Sequence, residues 1–305
     1  MAHGIDAGGS VASARAALTA EFKAHGIAEP AADARLLIAY ALEIEPARLG
    51  IEAARKLTAD EAARLKRLAG ERLAGRTVGR IVGHRAFHDI VLETADDVLE
   101  PRDDTAALVD LSLRLLGNVE APRVWDVGVG AGTVALAILH ARKDATAIGT
   151  DVSAAALVLT ERNADALGVR DRLELECVNG LDRRMGAFDL IVSNPPYIRT
   201  GDIQGLGAEA RVDPVLALDG GTDGLSFYRL LADRAAAHLA PGGVVAVEIG
   251  HDQGADVRGA FADRGWIVRD GECDLGGHER ALAFSRPAPE ASRGPGGDNR
   301  AGVRA

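Results

Sequence analysis

Cysteine is nearly absent from this chain. Cys177 and Cys273 are the only two in 305 residues, and they do not form a C-x-x-C pair. That argues against a disulfide framework and against a thiolate zinc site, and it points to a reducing compartment. Aromatic residues make up 4% of the chain, so a core has to be built from Leu, Val, Ile and Ala. An excess of positive charge is lacking too: 35 Lys and Arg stand against 45 Asp and Glu, a formal net charge of −10. Duplex-binding modules carry a basic face, so direct nucleic-acid binding is not expected. No apolar run approaches the ~20 residues of a membrane span. Residues 1–10 have no hydrophobic signal core. The expectation is a soluble cytoplasmic protein with no membrane partner.

What is present is ample for a folded core. Hydrophobic residues reach 47% with 26% charged, and the length suits two domains of roughly 100–200 residues each. Residues 11–25 and 31–42 carry apolar side chains at helical spacing, as in Leu36, Leu37, Tyr40 and Ala41. Thr58-Ala-Asp-Glu61 reads as a capping box for a third helix carrying Leu65, Leu68 and Leu73, with Gly75 as its stop. Residues 80–83 and 87–92 read as short strands of a hairpin, and a further helix is expected over 105–116. The domains expected are a helical one over 1–77, a β-hairpin linker over 78–104 and an α/β domain over 105–286. Residues 287–305, rich in Pro, Gly, Ala and Arg, read as a disordered tail.

From Arg123 onward strand and helix patterns alternate, as in a doubly wound α/β domain. Strands are expected at 123–127, 145–149, 173–177, 188–193 and 244–249, with a final pair near 266–268 and 281–284. Helices are expected at 133–141, 154–167 and 225–238.

Three stretches at strand ends carry chemistry. The first is Asp126-Val-Gly128-Val129-Gly130-Ala131-Gly132-Thr133. Its alternating glycines permit a sharp turn and bring backbone amides close to a ligand. A pyrophosphate-binding loop reads G-x-G-x-x-G, and the third glycine of that pattern is Thr133 here. The second is Asp151, about twenty residues on. A carboxylate there accepts from the vicinal hydroxyls of a ribose, and it is equally placed to cap the following helix. The third is Ser193-Asn194-Pro195-Pro196-Tyr197. Two prolines fix φ, remove two N–H donors and push Asn194 out of helical geometry, so the strand must end in a rigid turn. An Asn-Pro dipeptide is also an ordinary turn starter. Cys177-Val178-Asn179-Gly180, after the third strand, reads either as an Asn-Gly turn or as a place where the Asn179 oxygen accepts from a ligand.

The glycine loop resembles that of class I S-adenosylmethionine-dependent methyltransferases. Together with Asp151 and the Asn-Pro-Pro-Tyr turn, the chain resembles the PrmC/HemK family of protein-(glutamine-N5) methyltransferases, which modify class I peptide chain release factors. The resemblance runs from about Ala31 to Phe284. It includes Pro101-Arg102, Ala217-Leu-Asp-Gly-Gly221, Asp223-Gly-Leu225, Pro241-Gly-Gly243, Glu248-Ile-Gly250, Gln253 and the block from Asp274 to Arg280. It implies a Rossmann-like, seven-stranded α/β sheet, S-adenosyl-L-methionine as cofactor, and a release factor as protein substrate. It further implies a cofactor site of Asp126, Gly128, Val129, Gly130, Ala131, Gly132, Asp151, Asn179, Gly180 and Asn194. The glutamine of the Gly-Gly-Gln tripeptide would be held by Asn194, Pro195, Pro196 and Tyr197. There the Asn194 side-chain oxygen and the Pro195 carbonyl accept the two amide N–H bonds, and Tyr197 packs on the flat amide. The helical domain would recognise the substrate. His251 and His278, next to family blocks, read as structural.

Some positions depart from the family pattern. The linker block, usually Pro-Arg-Pro-(Glu/Asp)-Thr-Glu, is Pro101-Arg102-Asp103-Asp104-Thr105-Ala106 here. An upstream Gly-Glu-Pro is Gly75-Arg76-Thr77, the usual acid at 179 is Asn179, and the aromatic after it is Gly180. Residues 209–214 look one residue short. Other readings of the same residues are a glutamine methyltransferase of a ribosomal protein, an adenine N6-methyltransferase, and a non-catalytic paralogue.

Overall fold

The computed structural model describes residues 5–182, 186–207 and 210–287. The segment 288–305, which holds nearly all of the expected tail, lies outside the described residues, as do Ala208 and, from the 209–214 stretch, Glu209. The helical region contains α1 (Val11–Ala24), α2 (Pro30–Ala41) and α3 (Ala59–Leu73). Ser10 caps α1 by accepting from Ser13 N, and the Thr58/Glu61 capping box opens α3 with both reciprocal bonds formed. Leu18, Phe22, Leu37, Ile38, Leu65 and Leu68 are buried together, a core independent of the sheet.

Residues 78–82 are not a strand. They form the short helix α4 (Val78–Val82), with Thr77 accepting from Arg80 N at its start and Gly83 at φ 84° ending it. Ile81 and Val82 favour β structure locally, but tertiary bonds of Arg80 override that preference. Its guanidinium, 2% exposed, donates to the carbonyls of Asp96, Val98 and Val212 and to Asp213 Oδ1 at 2.6 Å. The hairpin therefore starts later, as β1 (His84–Phe87) and β2 (Ile90–Glu93), antiparallel, with Phe87 opposite Ile90. His88 in its two-residue turn has φ 49°, the left-handed geometry such turns need.

The second region runs α5 (Ala106–Leu115), β3 (Arg123–Val127), α6 (Thr133–Ala141), β4 (Thr146–Asp151), α7 (Ala154–Ala166), β5 (Leu173–Cys177), β6 (Phe188–Ser193), α8 (Ser226–Arg234), β7 (Leu239–Glu248), α9 (Gly254–Ala262), β8 (Ile267–Cys273) and β9 (Glu279–Ser285). The seven strands lie in the order β5-β4-β3-β6-β7-β9-β8, all neighbours parallel except at β9, which runs antiparallel to β7 and β8. The seven-stranded α/β architecture expected from the sequence is present. Side chains alternate between faces along each central strand. Val124, Leu190, Val192, Val244 and Ala246 pack with α5, α6 and α7, while Trp125, Val127, Ile191, Val245 and Val247 pack with α8 and α9. Trp125 is fully buried and satisfies its indole N–H on Thr150 Oγ1 at 3.0 Å.

β7 begins five residues before the expected start. Phe188 pairs with Leu239 and Leu190 with Val244, so residues 240–243 bulge out of register. The helix α9 has no counterpart in the sequence reading. The strand order reverses between β3 and β6, and the carboxyl ends of these two parallel strands are where such sheets bind ligands.

Candidate active site

β3 delivers Asp126 and the glycine loop to that edge. Gly128, Gly130 and Gly132 have φ of 80°, 56° and 85°, all left-handed, which a side chain tolerates poorly. A Cβ on Gly132 would also stand 2.5 Å from Leu136 Cδ1. The loop is tied down on the sheet side: Gly128 N and Val129 N both donate to Thr150 O, and the Thr160 hydroxyl and the Asn163 amide donate to Gly130 O and Ala131 O. Asp126 is buried, and its Oδ2 accepts from Ala135 N at 3.0 Å in the first turn of α6. Burial pushes its carboxyl up to about 7, with the Asp151 charge adding to the rise and the Ala135 bond opposing it.

Asp151 ends β4. It does not cap α7; Ser153 does, accepting from Ala156 N. Instead Asp151 Oδ2 accepts from Gly130 N at 3.0 Å and Oδ1 from Ser153 N at 2.9 Å. Each oxygen keeps acceptor capacity beyond its backbone bond, which fits a pair of ribose hydroxyls. The capping alternative fails because a serine two residues on has the better position.

β6 delivers Asn194. Its Nδ2 donates to Thr105 Oγ1 at 3.2 Å, and the Ser193 hydroxyl beneath it bonds Val127 O at 2.6 Å, joining the two strand ends. Asn194 lines one cavity with Asp126, Gly128, Val129, Gly130, Ala131 and the linker residues Pro101, Arg102 and Thr105. Gly132 closes that loop with its N–H on Val129 O, and Asp151 meets the loop through its carboxylate. Asn179 and Gly180 lie outside the cavity, past β5, whose Cys177 pairs with Asp151. Gly180 has φ 54°, and a Cβ there would stand 2.8 Å from Leu230 Cδ2. Glycine at 180 therefore matches both the local backbone and the approach of Leu230.

The turn after Asn194 is clamped from three directions. Gln253 Nε2 donates to Tyr197 O at 2.9 Å, Ile198 N donates to Leu218 O, and Gly220 N donates to Ile198 O. A Cβ on Gly220 or Gly224 would collide with the backbone of 196–197, so the glycines of this block are required by close approach. Tyr197 packs its ring against the α8/α9 face and aims its hydroxyl at Glu248 Oε1, a long contact of 3.5 Å. Burial raises its phenol well above the usual range, and the Glu248 charge adds to this.

Two residues quoted for the resemblance but given no role turn out to belong to this site. Glu248 ends β7 at 1% exposure with Oε2 lacking any hydrogen-bond partner. Burial raises its carboxyl to about 7, and the nearby Thr105 hydroxyl opposes that rise. An acid closing the apolar run from Val244 to Val247 is the sequence signal that marks it. Thr105, in the linker block, is buried as well. The departure at Asp103 carries an ion pair with Arg85 at 3.0 Å, and Asp104, which fits the pattern, pairs with Arg280 at 2.9 Å. His251 and His278 are both exposed and form an edge-to-face pair with centroids 6.2 Å apart, so neither is a core histidine.

The comparisons with known proteins agree with this geometry. Residues 13–83 match the family model of the PrmC N-terminal domain and residues 104–210 that of the methyltransferase small domain. The chain is 42% identical over 287 residues to a release factor glutamine methyltransferase of Agrobacterium fabrum, covering 92% of this chain and 99% of that one. It is 41% identical over 267 residues to one of Rhodospirillum rubrum, covering 87% and 82%. Among solved structures, the hMettl16 catalytic domain in complex with MAT2A 3'UTR hairpin 1 matches with a TM-score of 0.53 over 75% of this chain and 83% of that one. At 14% identity that likeness speaks for the fold alone. A methyltransferase sheet with a glycine loop and an Asn-Pro-Pro-Tyr turn at one edge, matched over nine-tenths of its length by such relatives, places the chain in the release factor glutamine methyltransferase family.

Proposed function

We propose that this protein transfers a methyl group from S-adenosyl-L-methionine to the side-chain amide nitrogen (N5) of the glutamine in the Gly-Gly-Gln motif of class I peptide chain release factors. The observation that carries the reading is that Asn194 lines the same cavity as the glycine loop, so an acceptor held by Asn194 sits beside whatever the loop holds. The backbone of residues 128–132, Asp126 and Asp151 would bind the cofactor, with Asn179 and Gly180 on its adenine side. When bound, the cofactor supplies an electrophilic methyl group on a sulfonium.

An amide nitrogen is a weak nucleophile because its lone pair is shared with the carbonyl. Asn194 Oδ1 and the Pro195 carbonyl accept its two N–H bonds, which fixes the nitrogen in place and draws electron density toward it. Orientation of this kind can be worth several kcal/mol, of the ~7–11 available from effective molarity. Pro195 and Pro196 keep those acceptors rigid, and Tyr197, clamped by Gln253 and Glu248, backs the flat amide. The helical domain, residues 1–77, recognises the protein substrate, and 78–104 link it to the methyltransferase domain. Among the described residues no helix is long and apolar enough to cross a membrane. A release factor substrate would place the protein in the cytoplasm.

The test uses labelled cofactor with release factor, a ribosomal protein and DNA as separate acceptors, and mass spectrometry to map the modified residue. Methylated glutamine in Gly-Gly-Gln is expected; label only on another acceptor would overturn the reading. Asn194→Ala is expected to lower transfer by at least ~100-fold while calorimetry still detects cofactor binding.

A further inference from the structure

We propose that two rigid apolar tips at the edge of the site, Val215-Leu216 and Leu275, form a docking surface for the part of the release factor that lies beyond its Gly-Gly-Gln tripeptide. The inference rests on the acceptor given above.

The tripeptide itself gives an enzyme little to grip. Its two glycines carry no side chain, and the glutamine amide is committed to Asn194 and Pro195. Affinity for the protein substrate therefore has to come from contacts outside the tripeptide. Val215 and Leu216 are 58% and 66% exposed, and Leu275 is fully exposed. Single apolar side chains on a surface are ordinary. These differ in where they stand and in how firmly they are held.

Val215-Leu216 belongs to one 3-10 turn (Val215–Ala217) in the loop that leaves the Asn-Pro-Pro-Tyr turn. Before it, Arg80 and Arg102 both grip the buried Asp213 carboxylate, and Arg80 also donates to Val212 O at 2.8 Å. Within it, Ala217 N donates to Pro214 O and Leu218 N to Val215 O. After it, Leu218 is buried, Ile198 N donates to Leu218 O, and Gly220 N donates to Ile198 O. This tip is thus fixed at both ends, and its C-terminal end pairs with the residue that directly follows Tyr197.

Leu275 sits in the turn between β8 and β9. Because β9 runs antiparallel to β7, that turn projects from the same sheet edge as the carboxyl ends of β6 and β7. Asp274 closes the turn: its N–H donates to His278 O, its carbonyl accepts from Gly277 N, and its carboxylate accepts from His278 N. The same carboxylate accepts from Arg280 Nε at 2.8 Å, and Arg280 pairs with Asp104 at 2.9 Å. Asp104 precedes Thr105, the residue whose Oγ1 takes the Nδ2 bond of Asn194. Each tip is therefore fastened to an element that holds the acceptor residues.

A leucine held in water at a fixed place gains the free protein nothing by burial. A partner that covers it removes apolar surface from water and meets a contact that is already ordered, which favours binding. Apolar, preordered and beside the acceptor turn, the tips fit aliphatic or aromatic side chains of a folded polypeptide.

The experiment measures kcat and KM for release factor, and its Kd by calorimetry, in wild type, Val215→Ser/Leu216→Ser, Leu275→Ser and Leu216→Met. The control is Val268→Ser, a residue 48% exposed that pairs with Phe284 toward the opposite edge of the sheet. The double variant is expected to raise KM and Kd by at least ~10-fold and Leu275→Ser by about 5-fold. Their kcat should stay within ~3-fold of wild type, and their affinity for S-adenosylhomocysteine, which also reports folding, within ~2-fold. Leu216→Met keeps the tip apolar and should stay within ~3-fold in KM; Val268→Ser should match wild type. KM and Kd within ~2-fold of wild type in either the double variant or Leu275→Ser, or an equal loss in Val268→Ser, would overturn the docking surface. Methylation of Gly-Gly-Gln at unchanged KM in the variants would leave the proposed reaction standing without this surface. Release factor bound but not methylated by wild type would sink the reaction, and the Kd values would still decide the surface. Wild type that neither binds nor methylates release factor would overturn both.

Discussion

Asp151 is a residue whose role depends on how many donors its carboxylate meets at once. Gly130 N and Ser153 N take one lone pair on each oxygen, which leaves acceptor capacity on both for the ribose hydroxyls of the proposed cofactor. Asp151→Asn keeps one acceptor but puts an NH₂ group against one of those two backbone N–H donors. A charge-assisted bond is lost and a donor–donor contact is created, so cofactor affinity measured by calorimetry should fall by about 10- to 100-fold. An affinity within threefold of wild type would remove Asp151 from the cofactor site. Asn194 was identifiable in the sequence because two prolines follow it, and the chemistry of proline is local. Thr105 carries no such local mark: its burial and its bond from Asn194 Nδ2, 89 positions along the chain, are decided by the fold.

At the scale of elements, α4 is the piece that sequence reading got wrong and the piece with the longest reach. Arg80 on α4 and Arg102 in the linker grip the same carboxylate, Asp213, from the loop that follows the Asn-Pro-Pro-Tyr turn. Burial raises the Asp213 carboxyl, and Arg102 and then Arg80 oppose that rise. Arg85 adds a bond to Glu100 at 3.1 Å, and Thr77 bonds the other Glu100 oxygen. One network thus holds the helical region, the linker and the rim of the cavity together. Arg80→Met removes one of the two guanidinium partners of Asp213. Breaking a buried pair in this way costs about 3–5 kcal/mol, to be read as a lower denaturant midpoint with an unchanged m-value. The β-branched run Ile81-Val82 suggested a strand; the buried Arg80 guanidinium, whose two terminal nitrogens bond Asp96 O, Val212 O, Val98 O and Asp213 Oδ1, decided otherwise.

For the whole molecule, buried acids set the dependence of stability on pH. Asp126 and Glu248 each titrate near 7 in the folded protein, above their ordinary values of 3.8 and 4.5. The folded state therefore binds more protons than the unfolded state between about 4 and 7, and stability must fall as pH rises through that window. The loss is on the order of 3 kcal/mol for each group. Surface carboxylates held down by arginine or backbone partners, such as Asp223, Asp270 and Glu272, act oppositely. Their contribution is present above their unfolded pKa and is lost as pH falls through the lowered folded value, but exposure keeps it small. Thermal unfolding without ligand should show greatest stability near pH 5. Asp126→Asn, which still accepts from Ala135 N, should raise the midpoint at pH 8 and leave it little changed at pH 5. A variant that is equally or less stable at pH 8 would contradict the raised Asp126 pKa.

Much of this protein was determined by sequence alone, wherever the cause is local. β3, β5, β6 and α6 fall on their expected residues because alternation, helical periodicity and glycine or proline punctuation act within a few positions. The glycine loop, Asp151 and the Asn-Pro-Pro-Tyr turn were legible for the same reason, as each is a strand end of distinctive composition. Tertiary structure decided what depends on distant partners. It made residues 78–82 a helix through Asp213, gave the cap of α7 to Ser153, and turned Tyr197 toward Glu248. It also brought Thr105 Oγ1 within 3.2 Å of Asn194 Nδ2. Hydrogen-bond polarity at a buried site is a property of the group of residues that share the protons, and such a group exists only once the chain has folded.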